Sequence, residues 1–61
     1  MWVRVYNMNT GLLCRKFHIE GMECEQIKRV RQQYNLPDEP TKRCARYVQY
    51  ETQDYLMEVE L

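Results

Sequence analysis

The chain has no serine, a single histidine, two glycines, two prolines and no long apolar run. Each shortage excludes something. Without serine there is no Ser-His-Asp constellation, and two isolated glycines cannot build a phosphate-cradling loop. A helix crossing a bilayer needs about 18 or more consecutive apolar residues. The start, Met1-Trp2-Val3-Arg4-Val5-Tyr6-Asn7, lacks the apolar block of a secretory signal. Net charge is absent too: nine Lys/Arg balance nine Asp/Glu. That argues against a protein held on DNA or an anionic membrane by bulk electrostatics. At 61 residues the chain is one domain at most. Folding at this size buries only about 60% of the unfolded surface, so the core is thin and a covering partner would help it.

The three cysteines, Cys14, Cys24 and Cys44, are an odd number in a chain without a secretory signal. They read as free thiols in a reducing, cytoplasmic setting. A Cys3His zinc site with His18 fails on spacing. Cys14 and His18 on one strand stand roughly 13 Å apart, at ~3.3 Å per residue, whereas two ligands of one ion lie within about 4 Å of each other. The same distance forbids a Cys14–His18 nucleophile pair, which needs about 3 Å. No metal, no cofactor and no catalytic residue is therefore expected, and the protein reads as a non-enzyme.

What is present is strand and helix pattern. Residues 2–8 are rich in strand formers, followed by Asn9-Thr10-Gly11 and a second strand-like run from Leu12 to Ile19. A three-residue turn here predicts Trp2 opposite His18, Val3 opposite Phe17, Arg4 opposite Lys16, Val5 opposite Arg15, Tyr6 opposite Cys14 and Met8 opposite Leu12. A helix is predicted from about Met22 to Tyr34. Ile27, Val30 and Tyr34 recur at helical spacing, acids (Glu23, Glu25) lead, bases (Lys28, Arg29, Arg31) trail, and Asn35 and Pro37 end it. Asp38-Glu39-Pro40-Thr41 reads as a loop. Residues 44–50 and 55–61 read as a hairpin, with Val48 opposite Met57, Tyr50 opposite Tyr55, Arg46 opposite Val59 and Cys44 opposite Leu61. A helical stripe through Val48, Thr52, Tyr55 and Val59 competes with that reading.

The expected fold is α+β, a β-hairpin, helix, β-hairpin (ββαββ) with an antiparallel sheet and the helix on one face. Val3, Val5, Leu13, Phe17, Ile19, Ile27, Val30, Tyr34, Val48, Met57 and Val59 are the expected core. The chain enters a strand at its second residue and ends inside one, which reads as a free-standing protein.

The other face of the first hairpin gathers Trp2, Arg4 and Tyr6 beside Lys16 and His18. Aromatics among cations suit the energetic centre of a protein interface. They also suit base stacking on a single nucleic-acid strand. The bare structural alternative is a small sheet stiffening itself. The like-charged Arg4–Lys16 pair is unfavourable alone, and an acidic partner would relieve it. Charge is segregated along the chain: residues 26–46 carry six bases against two acids, while residues 47–61 carry four acids and no base, which predicts a positive helix and loop on one side and a negative hairpin on the other. Lys28, Arg29 and Arg31 form a second candidate patch on the helix. Open sheet edges would allow homodimerisation by strand pairing. The expectation is a small inhibitor or modulator of a protein partner, of the kind phages and mobile elements encode, with a single-stranded RNA or DNA binder as the alternative.

Overall fold

The computed structural model describes all residues, 1–61. Its elements run β1 (Trp2–Asn7), β2 (Leu13–His18), α1 (Glu25–Gln33), β3 (Lys42–Arg43), β4 (Tyr47–Glu51) and β5 (Tyr55–Glu60). All five strands join one antiparallel sheet in the order β2-β1-β5-β4-β3. The α+β class and the helix between two sheet halves are as the pattern predicts. The last strand, however, lies at the centre of the sheet against the first.

In the first hairpin the register is the expected one from Trp2↔His18 to Val5↔Arg15. It then slips by one, so Tyr6 pairs with Leu13 and not Cys14. The Asn7 amide bonds the Leu12 carbonyl (2.9 Å), so Met8 does not face Leu12 and sits in the turn. The turn is built on Asn7, whose Oδ1 accepts from the amides of Asn9 (2.8 Å) and Thr10 (3.1 Å). Gly11 supplies the left-handed residue at φ +75°. The extra residue on β2 is a bulge, which leaves Leu13 49% exposed and out of the core where the pattern had put it.

The helix is shorter than expected, beginning at Glu25 behind Cys24 as N-cap. Its end is a Schellman motif: Asn35 sits at φ +54°, Leu36 N–H bonds Arg31 C=O (2.8 Å) and Asn35 N–H bonds Gln32 C=O (3.3 Å). That geometry turns Leu36 inward to 7% exposure and makes it a core residue the helical stripe did not include.

The stretch expected as one strand from Cys44 to Tyr50 instead reverses at Ala45-Arg46. Cys44 N–H bonds Tyr47 C=O (2.9 Å), and Lys42–Arg43 returns beside β4 as a short edge strand. The β4–β5 register is Val48↔Val59 and Tyr50↔Met57, displaced by two from the expected pairs. A slip of two keeps every side chain on its face, so Val48, Met57 and Val59 are buried as predicted and Tyr50 joins them. Thr52 closes the turn: its hydroxyl accepts from the Asp54 (3.3 Å) and Tyr55 (3.1 Å) amides.

The core is one cluster of ten residues: Val3, Val5, Ile19, Ile27, Val30, Leu36, Val48, Tyr50, Met57 and Val59. Phe17 and Tyr34 are half-buried against it. It fills the space between α1 and one face of the sheet. The opposite face has nothing over it.

Candidate functional site: the uncovered sheet face

Strand alternation decides what the uncovered face presents. Val3 and Val5 point to the helix, so Trp2, Arg4 and Tyr6 point away. Lys16 and His18 flank them on β2, while Leu56, Glu58 and Glu60 flank them on β5. Tyr47, Gln49 and Glu51 follow on β4. The five residues expected at a contact centre are therefore brought together.

Trp2 is the anchor. It is 44% exposed, with the His18 ring edge-on at 5.1 Å and 79° and Lys16 Nζ 5.0 Å from its centroid. The Met1 amino group lies 3.0 Å from His18 Nε2. These contacts fix the orientation of the indole without covering it.

The acidic residues are where local pattern gave least guidance. Segregation of charge along the chain suggested a positive side and a negative side. Instead β5 inserts beside β1, and Glu58 and Glu60 stand in the middle of the aromatic–cationic face. Arg4 Nη1 donates to Glu60 Oε2 at 2.8 Å. That hydrogen bond, opposed by partial desolvation, raises the Arg4 guanidinium above its ordinary value, so it stays charged at any working pH. The acid that relieves the Arg4–Lys16 pair is thus the chain's own. Gln49 Nε2 donates to Glu58 Oε2 (3.3 Å) and Lys42 Nζ lies 6.0 Å from the Tyr47 ring. Only opposite charge on the first and last strands hints at this neighbourhood.

Lys28, Arg29 and Arg31 are not part of this face. They lie on α1, across the sheet from Trp2. Arg29 Nε stands 4.0 Å from Glu25 Oε1, and Arg31 stacks 5.5 Å from the Tyr50 ring while donating to the Asp38 carbonyl (3.4 Å). Lys28 and Arg31 line an open cleft with Asp38. The helix cations therefore make a separate, partly self-satisfied surface.

Cys14 is exposed, and Cys24 and Cys44 are half-buried; all three are free thiols. No group of three or more His, Cys, Asp or Glu side chains is placed to hold a metal ion. No helix is long and apolar enough to cross a membrane. Comparison with family models, curated proteins and solved structures returns no match, so the functional reading rests on this chain's own residues.

Proposed function

We propose that the protein is a contact module, an inhibitor or modulator of a protein partner that works by docking and without chemistry. The observation that carries this reading is Trp2. It is a large, pre-oriented aromatic, 44% exposed at the first strand of a sheet face that no element covers. Interface centres favour such residues, ringed by Arg, Tyr and polar groups. The surrounding Arg4, Tyr6, Lys16, His18, Glu58 and Glu60 mix both signs of charge, which suits a protein surface of mixed charge. The free thiols fit a cytoplasmic setting, and a phage or mobile-element origin remains part of the proposal on grounds of size.

The nucleic-acid reading is second. Glu58 and Glu60 stand beside Arg4 on the stacking platform and repel a phosphate chain. A single strand needs cations along its whole track.

The test is a nuclease-treated pull-down at low and high salt, comparing wild type with the Trp2→Ala/Tyr6→Ala double variant. The captured protein is then purified and titrated. Trp2→Ala should lower its affinity by at least about 2 kcal/mol. Recovery of nucleic acid in the untreated sample alone, fading with salt, would replace this reading with the second. Equal capture by the double variant would remove the face from the proposal.

A further inference from the structure

The sheet has two edges of different character. The β3 edge is two residues long, Lys42–Arg43, short enough to offer little to another strand. The β2 edge runs six residues, Leu13–His18, and β1 is its only neighbour. Its open backbone groups can be identified. Ile19 and Met1 exchange both bonds, Ile19 N–H to Met1 C=O at 2.9 Å and the Met1 amine to Ile19 C=O at 2.8 Å. Antiparallel pairs alternate between bonded and non-bonded. Phe17 and Arg15 therefore bond β1, and the N–H and C=O groups of Lys16 and His18 point outward.

Two side chains of this edge are cationic, Arg15 on the helix side and Lys16 on the uncovered side. Arg15 bonds only Gln33 Oε1 (3.0 Å) among charged or amide side chains, and Lys16 rests on Trp2. Neither takes part in any of the molecule's three ion pairs. Between them and His18 lies Phe17, half-buried and reached by no further strand. Pairing β2 with a second copy of itself about its centre sets cation against cation, which is unfavourable. The homodimer expected from open edges is thereby disfavoured at this edge.

The fold already contains the strand chemistry that suits such a row. On the other side of β1, the segment Glu58-Val59-Glu60 places Glu58 opposite Arg4 and Val59 opposite Val3, with Glu60 ion-paired to Arg4. Lys16-Phe17-His18 repeats the alternation of Arg4-Val3-Trp2 one strand further out.

We infer that the β2 edge is a strand-addition site for an extended acidic segment of a protein partner. The segment alternates acidic and β-branched residues, its backbone bonds Lys16 and His18, its acids lie beside Lys16 on the uncovered face, and an apolar residue covers Phe17. Backbone bonding supplies a general affinity and the Lys16 ammonium supplies the choice of an acidic partner. The inference shares Lys16 with the Trp2 surface but does not need the indole, because its bonding groups are the outward N–H and C=O groups of β2.

The probe is a capped peptide of alternating Glu and Val, titrated into isotopically labelled full-length protein by NMR, with a Lys-Val peptide as control. Saturable shifts and slowed amide exchange centred on Lys16 and His18, with no response to Lys-Val, are expected. Lys16→Glu should weaken the Glu-Val peptide about tenfold or more. Lys16→Pro removes an outward N–H that the fold leaves unused, a placement edge strands tolerate, and should abolish binding, while Lys16→Gln retains part of it. Trp2→Ala should leave the peptide bound, which separates this site from the face. Three results would overturn the inference: no saturation at millimolar peptide, binding unchanged in a folded Lys16→Pro variant, or Lys16 and His18 amides already protected in a self-associated protein.

Discussion

Arg4 on the first strand donates a 2.8 Å hydrogen bond to Glu60 on the last, closing the sheet across 56 residues of sequence. It joins two strands that share no turn, and it neutralises the cation that lies opposite Lys16. Both side chains are partly exposed, 24% and 54%, so the pair is a modest, salt-sensitive one. A double-mutant cycle with Arg4→Gln and Glu60→Gln, followed by chemical denaturation, should give a favourable coupling at low salt. The coupling should fade toward 1 M salt, where the screening length is about 3 Å. Coupling that survives high salt would mean that the pair is better desolvated than its exposure implies.

Leu36 and Leu13 invert what hydrophobicity alone suggests. Leu36 lies beyond the helix yet is buried, and Leu13 lies in a strand yet is 49% exposed. Leu36→Ala should cost about 2–4 kcal/mol, a large share of the roughly 3–9 kcal/mol available to a chain this size. Leu13→Ala should stay within about 0.5 kcal/mol of wild type. Equilibrium unfolding of the pair checks both the Schellman turn and the β2 bulge.

Asn35 holds a left-handed conformation at φ +54°. Glycine takes it without a Cβ clash, whereas a residue such as alanine incurs about 1 kcal/mol or more. Asn35→Gly should raise the melting temperature or leave it unchanged, and Asn35→Ala should lower it. Equal melting of the two variants would mean that the helix end had rearranged.

How much of this was legible in the chain divides by range. The first hairpin's pairs from Trp2 to Val5 follow from alternation and one turn, and the α1 stripe from Ile27 and Val30. Trp2, Arg4, Tyr6, Lys16 and His18 share a face for that reason. The bulge at Cys14 has no glycine or proline to announce it. The reversal at Ala45-Arg46 is equally silent, so Lys42–Arg43 is not read as a strand and the next strand is read from Cys44 in place of Tyr47. The β1–β5 pairing is non-local, and nothing within Glu58-Val59-Glu60 names its neighbour. That is why the carboxylates were expected on a side of their own. The displaced β4–β5 register did no harm to the core because a slip of two preserves faces.

That turn makes its own prediction. Gln53-Asp54 carries no glycine and no residue with positive φ, and the Thr52 hydroxyl accepts from two amides in its place. Thr52→Val keeps the β-branched shape and removes the acceptor. It should cost about 0.5–1.5 kcal/mol, with amide exchange quickening at Asp54 and Tyr55. Full stability in Thr52→Val would mean that solvent satisfies those amides equally well.

Trp2 and Met57 test whether the two faces of the sheet differ in kind. Met57 is fully buried on the central strand, so Met57→Ala should cost about 2–5 kcal/mol and bring the chain close to unfolding. Trp2 is larger, but its support comes from an edge-on ring and a nearby ammonium group, interactions worth about 0.5–1.5 and 0.5–1 kcal/mol at exposed sites. Trp2→Ala should therefore melt a few degrees lower, retain the β-sheet circular dichroism spectrum and keep the amide shifts of Val5, Met57 and Val59. A collapse of those shifts would make the indole a structural element, and the uncovered face would lose its claim as a docking surface.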